Sequence, residues 1–351
     1  MHARIRIAVA LVLAFSIASR LTVAQEGAAA FPLFLDQTPL KLRITGPFRQ
    51  LERDDPDERP EHDTVLEIEG ADGETTSLDV EIRVRGKSRA DLCDFPPLRL
   101  DFSRPAVEGT VFAGQNQLKL VTLCKGSNTY RTYLAQEYLI YRFFNVLTDR
   151  SFRVRWAEIE YVYTDSRRPQ TELAPAFLIE ADWEAAERHG LPVVETESIS
   201  ADNLAADHTA LLVLFQYMVG NTDFSMLAPA PDEDDCCHNS KVIGREGSDL
   251  VILPYDFDQA GLINTEYSIP SEVLRIDRVT QRLYRGFCKH DRELAAAIDR
   301  VNSDRPQLEA ELDAEFIPDR ARDRALRFLE RSYEMINDSE RFADAVSRDC
   351  R

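Results

Sequence analysis

Between Leu40 and Leu123, apolar and polar positions alternate with period two in five stretches: Leu40 to Thr45, Thr64 to Glu69, Leu78 to Arg85, Leu98 to Phe102 and Gln117 to Leu123. Such alternation predicts strands with one buried face. Turn residues separate them at Gly46-Pro47, Ala71-Asp72-Gly73, Gly86, Pro96-Pro97 and Ala113-Gly114, and the charged segment Arg53 to Asp63 predicts a solvated loop. From Tyr130 to Leu147 the period changes, with Leu134, Tyr138, Tyr141 and Phe144 or Asn145 at helical spacing. Two more strands follow, Arg153 to Tyr163 and Ala174 to Glu180, around a polar hairpin at Thr164 to Glu172.

Beyond Glu180 the pattern is mainly helical. Asp182 to Arg188 and Asp207 to Val219 predict helices, a loop runs from Gly220 to Asn239, and Lys241 to Ile243 and Leu250 to Leu253 predict a small hairpin. From about Ser271 the helical pattern continues to the end, most clearly at Gln281–Phe287, Asp291–Val301 and Asp319–Ala345. The order predicts an α+β chain with a sheet-rich N-terminal part, residues 25–181, and a helical C-terminal part, residues 182–351, joined near Ala181.

The first residues change this picture. Arg4 and Arg6 precede an apolar run from Ile7 to Ala18, and Thr22-Val23-Ala24 supplies small residues ahead of Gln25. Residues 1–24 therefore read as a secretory signal peptide, and the chain as exported, either periplasmic or secreted. The run is too short for an ordinary membrane-spanning helix, and no later stretch approaches that length, so no membrane span is expected in the mature chain. Without Arg4, Arg6 and Arg20 the formal charge goes from -19 to about -22. So acidic a surface repels nucleic acid, which is not an expected partner.

Export makes the six cysteines disulfide candidates. Cys93 and Cys124 form the expected pair of the N-terminal half, and Cys288 pairs with Cys236, Cys237 or Cys350. A zinc site at Cys236-Cys237-His238 is a rival reading, although adjacent cysteines depart from the usual spacing. The acidic run Asp232 to Asp235 reads as a solvated loop, with calcium binding as its alternative.

Three short motifs carry candidate chemistry. Gly220-Asn221-Thr222-Asp223 ends an apolar helix, His238-Asn239-Ser240-Lys241 opens a strand, and Pro254-Tyr255-Asp256-Phe257-Asp258 follows another. Phosphoryl transfer needs a carboxylate to orient and deprotonate a hydroxyl, and further oxygen ligands to hold magnesium on the phosphates. In that reading Asp223 is the base, Asn239 and Asp256 are metal ligands, and Asp258 is a second carboxylate ligand. In the N-terminal half, Arg83 to Ser88 lies where a phosphate-covering loop would lie. Lys119 on a strand would meet the phosphates, with Glu137 on the next helix to pair with it. Arg131, Lys125 and Arg85 are rival phosphate-contacting cations.

In these pieces the chain resembles the CotH-type spore-coat kinases, a group of atypical protein kinases, and more loosely the HipA-like kinases. The resemblance runs in order through Arg83-Val84-Arg85-Gly86, Pro97 to Phe102, Gln117 to Leu120, Leu134 to Glu137, Ala176 to Glu180, Asn221 to Asp223, His238-Asn239 and Tyr255 to Asp258. It implies a two-lobed protein-kinase-like fold and transfer of the ATP γ-phosphate, with Mg2+ or Mn2+, to Ser or Thr of a protein substrate. It also implies that Glu180 lies at a hinge where backbone groups meet adenine. The chain departs from typical kinases in the 15 residues between Asp223 and Asn239, in Phe224 and Ser225 beside the catalytic position, and in having no G-x-G-x-x-G. These departures favour a second reading, a catalytically silent binding or scaffold protein of the cell envelope. A third is a metal-dependent hydrolase using Asp223, His238, Asp256 and Asp258.

Overall fold

Alternating apolar side chains along seven strands close a barrel, because each strand buries one row of residues and pairs on both edges. The structure, a computed structural model, describes residues 31–351 except 71, 72, 87, 231–234 and 246. Residues 1–24, expected as a signal peptide, lie outside the described residues, as do Lys87 and Asp232 to Asp234.

The strands are β1 (Leu40–Gly46), β2 (His62–Glu69), β3 (Thr75–Val84), β4 (Leu98–Phe102), β5 (Gln117–Thr122), β6 (Val154–Tyr163) and β7 (Gln170–Ile179). Three short helices, α1 (Phe48–Leu51), α2 (Ser88–Leu92) and α3 (Arg104–Val107), sit between them. The order around the barrel is β1-β2-β3-β4-β5-β7-β6, and β6 returns alongside β1 in parallel, from Leu40↔Ala157 to Gly46↔Tyr163. The remaining neighbours are antiparallel. Leu42, Ile44, Leu66, Val80, Ile82, Leu100 and Leu118 are buried, which is the filled interior expected of a small barrel.

The long helix α4 (Asn128–Leu147) is buried on most of its surface. It packs on β6 and β7, which explains why the last six residues of β7 are all buried rather than alternating. Trp156 stacks on Phe316 at 4.8 Å and meets Tyr138 edge-on at 5.3 Å, so barrel, α4 and the C-terminal segment share apolar contacts. One contiguous core runs from Leu33 to Val346.

Helices α5 (Asp182–Arg188) and α6 (Ala206–Val219) follow, then a two-stranded sheet of β8 (Ser240–Arg245) and β9 (Ser248–Pro254). The chain ends in α7 (Asp291–Ser303), α8 (Arg305–Ala310), α9 (Asp319–Asn337) and α10 (Ser339–Asp349). Gln281 to Phe287, expected as helix, is irregular, and Asp319 to Ala345 is two helices broken where the Asp338 side chain caps α10.

The two-lobed protein-kinase-like fold is overturned by this arrangement: the N-terminal strands form a closed seven-stranded mixed barrel, with helices C-terminal to it. Period two shows which face of a strand is buried but not which edges pair. The closing contact joins residues more than a hundred positions apart, such as Leu42 and Ile159.

His208 on α6 shows how tightly the helical region is sealed. It is buried, and Nε2 lies 2.7 Å from the Ile252 carbonyl, so Nε2 carries the donated proton. Nδ1 has no partner, and burial lowers the pKa to about 4 despite the Ile252 bond. Folding therefore excludes a proton that the unfolded chain binds near pH 6.5. The His208 contribution to stability is full above about pH 6.5 and falls towards pH 4, by roughly 3 kcal/mol. His208→Gln should remove that part of the pH dependence of urea-measured stability, seen as the difference between variant and wild type across the window.

Candidate functional site

The three motifs of the C-terminal half meet at one cleft. Gly220 ends α6 in the left-handed conformation at φ 66°, where a side chain would run into Phe328. The chain then turns through Asn221, whose Oδ1 accepts the Asp223 N–H at 3.0 Å. The β8–β9 hairpin pairs Ser240 with Pro254, so Asn239 and Asp256 emerge side by side at its end. Asn239 and Asp256 both have positive φ, 51° and 59°, a conformation costly for non-glycine residues and concentrated at functional sites. The Asp256 N–H donates to the Tyr141 hydroxyl of α4 at 2.8 Å, and buried Phe257 meets the Tyr141 ring at 4.8 Å.

Two polar clusters result. In the first, His238 Nε2 lies 3.1 Å from Asp223 Oδ1, and Asn239 Nδ2 donates to Asp223 Oδ2 at 3.0 Å and to the Asp223 carbonyl at 2.8 Å. Arg285 donates through Nη1 to the carbonyls of Thr222 and Phe224, bracketing Asp223 from both sides. The Asp223 side chain stays 41% exposed, so this fixed carboxylate faces solvent.

The second cluster is centred on Arg89 of α2. Its Nη2 donates to Glu137 Oε1 at 2.8 Å and to Asp256 Oδ1 at 2.6 Å, and its Nε to Asp258 Oδ2 at 2.9 Å. Burial works against the Arg89 charge, but Asp258, Glu137 and Asp256 outweigh it and hold its pKa well above the ordinary value. Burial raises the Glu137 carboxyl against the pull of Arg89, and raises Asp258 likewise.

A cavity of about 450 Å3 adjoins both clusters. Its polar wall includes Arg59, Arg85, Arg89, His238 and Asn239, and its apolar wall Pro97, Val121 and Ile179. Hollows of about 850 and 960 Å3 lie elsewhere, one against β1 to β5 and one beside α1 and the β6–β7 hairpin. Neither brings the motif residues together, so the smaller cleft is the candidate site.

The sequence-predicted residues fall around this cleft in unequal ways. Asp223, Asn239, Asp256, Asp258, Arg85 and Glu137 converge on it. Lys119 does not pair with Glu137. Its Nζ lies 4.5 Å from the Tyr255 ring centre and 5.7 Å from that of Phe152, and burial, with Arg85 and Lys241 nearby, lowers its pKa to about 7. Ile179 lines the cleft, but its neighbour Glu180 does not. Its buried carboxylate takes two hydrogen bonds from Arg188 and the Arg153 N–H, and its own N–H is bonded to the Arg153 carbonyl. Lys125 lies over the Tyr130 ring at 5.4 Å.

Arg89 was missed by sequence reasoning, as were Tyr141 and Arg285. The available signal for Arg89 was its place four residues before Cys93, which pairs with Cys124 as expected. The other disulfides are Cys288–Cys350 and the adjacent pair Cys236–Cys237. The last pairing corrects the zinc reading, since both thiolates it required are joined to each other. These disulfides are compatible with an exported chain, and among the described residues no helix is long and apolar enough to cross a membrane.

Asp256 and Asp258 offer the hard oxygen donors that magnesium or manganese requires. In this fold, however, an oxygen of each is held by the Arg89 guanidinium, and among the described residues no three His, Cys, Asp or Glu side chains are grouped to hold a metal ion. As folded, the residues do not fit a resident divalent cation. No family model matches the sequence, and no curated protein matches it.

Proposed function

We propose that the cleft binds a phosphate-bearing nucleotide, with ATP the expected one, and that Asp223 accepts the proton of a hydroxyl to which the terminal phosphoryl group is transferred. The observation that carries this reading is the fixed, solvent-facing Asp223 carboxylate beside a cleft lined by Arg59, Arg85 and Arg89. In the reaction the acceptor oxygen bonds to the γ-phosphorus as its proton passes to Asp223. The bond from that phosphorus to the β–γ bridging oxygen breaks, and ADP leaves. Such transfer depends on positioning and charge neutralisation more than on covalent chemistry. The arginines supply positive charge for the phosphates, and Pro97, Val121 and Ile179 offer apolar surface for a base.

The acceptor we propose is a Ser or Thr hydroxyl of a protein met outside the cytoplasm, periplasmic or secreted. This is the activity implied by the resemblance to CotH-type kinases. The reading rests here on the cleft residues and not on a shared two-lobed architecture.

Purified chain should show a rise of several degrees in melting temperature with millimolar ATP or ADP, and labelled phosphate should pass from ATP to a protein acceptor or to the chain itself. Absence of a shift with ATP, ADP, GTP and pyrophosphate alike would sink the nucleotide reading. The second reading, a silent anion-binding module of the envelope, is favoured by the engagement of both Asp256 and Asp258 with Arg89. It predicts the melting shift without transfer or phosphate release.

A further inference from the structure

We infer that Arg89 is the resident cation of the cleft, occupying the position among Asp256, Asp258 and Glu137 where a divalent metal ion would have to bind. The inference deepens the proposed function by stating how the site handles charge, and it rests on that reading only for the identity of the ligand.

Three carboxylates from two separate parts of the chain converge on two nitrogens of one guanidinium. Glu137 comes from α4, and Asp256 and Asp258 from the turn after β9. The distances, 2.6 to 2.9 Å, are those of charge-assisted hydrogen bonds. A metal ion at this point would need the same oxygens, and a second cation within a few ångströms of the guanidinium would be repelled. Arginine is also suited to a permanent role, since it does not lose its proton and its fork matches planar oxygen pairs.

The scaffold holds Arg89 in place from behind. The Cys93 N–H donates to the Arg89 carbonyl at 2.9 Å, and the Cys93–Cys124 disulfide ties this end of α2 to the segment after β5. The Arg89 side chain is only 14% exposed, and withdrawing it before another cation arrives would leave the nearly buried Glu137 without a counter-charge. Nε and Nη2 are committed to carboxylates. Nη1 remains for an oxygen of an incoming phosphate, which this site would bind without a metal bridge.

The test uses the full chain and manganese alone, followed by electron paramagnetic resonance and calorimetry, with no nucleotide present. Wild type should take up no Mn2+ below millimolar concentration. Arg89→Ala should bind Mn2+ at least tenfold more tightly, and should lose at least tenfold in affinity for pyrophosphate in EDTA. Because Arg89→Ala strands Glu137, the double variant Arg89→Ala/Glu137→Gln is measured beside it, and near-ultraviolet circular dichroism checks that each is folded. Wild type binding Mn2+ as tightly as the variants would overturn the inference, as would folded variants that bind none. Failure of ATP to bind wild type, with the Mn2+ pattern as expected, would remove the nucleotide reading and leave the role of Arg89 standing.

Discussion

Asp223→Asn should slow phosphoryl transfer by about a thousandfold, the usual size of a general-base contribution, while nucleotide affinity changes little. Asparagine has nearly the same shape, and its amide oxygen can still accept the Asn239 Nδ2 hydrogen bond now made by Asp223 Oδ2 at 3.0 Å. It cannot take up the acceptor hydroxyl's proton at neutral pH. The neighbouring backbone is also held independently of the carboxylate, because Arg285 donates to the Thr222 and Phe224 carbonyls. Binding and chemistry should therefore separate. Single-turnover transfer from labelled ATP and calorimetric titration of ADP, on the same preparation, make the check. A variant that keeps more than a tenth of the wild-type rate places the base elsewhere. Equal losses of rate and affinity make Asp223 a structural residue.

Removing the long-range disulfides should have a comparably large effect, this time on stability. Cys93–Cys124 spans 31 residues and Cys288–Cys350 spans 62. Loop-closure entropy in the unfolded chain gives each a contribution of about 4 kcal/mol. Cys236–Cys237 joins adjacent residues, closes almost no loop and should contribute little by the same mechanism. The paired serine variants should show this order in urea unfolding: two large losses and one small one. Equal losses for all three pairs would remove the loop-entropy account.

The two long-range bonds should also differ in their functional effects. Cys93 adjoins the helix that carries Arg89, so opening that pair should weaken phosphate binding first. Cys288 lies beside the segment holding Arg285, and the Arg351 N–H donates to the Gly286 carbonyl at 2.9 Å. Opening Cys288–Cys350 should loosen the turn that presents Asp223, and so lower turnover before affinity.

Much of the local structure was legible because it follows from near neighbours in the chain. The period-two pattern located the first five barrel strands. β6 and β7 were expected where they lie, except that β7 begins four residues earlier, at Gln170, and the helical spacing found α4 within two residues of its true start at Asn128. Gly220 after an apolar run placed the end of α6, and the turn leading to Asp223 followed from it. The grouping of Asp223, Asn239 and Asp256 was also legible, since a hairpin between the second and third motifs brings its two ends together.

Departures from the expected pattern arise where the path of the chain, and not its local spacing, decides the outcome. Lys119 was expected to pair with Glu137 because a strand lysine and a following helix glutamate stand in the right order. Which cation reaches Glu137 depends instead on the path of α2 across the cleft, and that path belongs to Arg89. Glu180 stands where the resemblance implied that backbone groups meet adenine; its carboxylate is held by Arg188 and its N–H by the Arg153 carbonyl. A helical pattern at Gln281 to Phe287 did not survive, and Arg285 within it reaches the Asp223 loop.

The sequence by itself determined the strands, the main helices, an even set of cysteines and the carboxylates that share one cleft. Each of these depends on interactions within a few residues or on composition. Only the tertiary structure decided that the sheet closes as a barrel, because closure is a pairing of β1 with β6 across more than a hundred residues. Only it decided that Arg89 stands among the carboxylates. The fold brings α2, α4 and the turn after β9 to one point, where pairing offsets the cost of burying those charges, and no spacing along the chain encodes that neighbourhood.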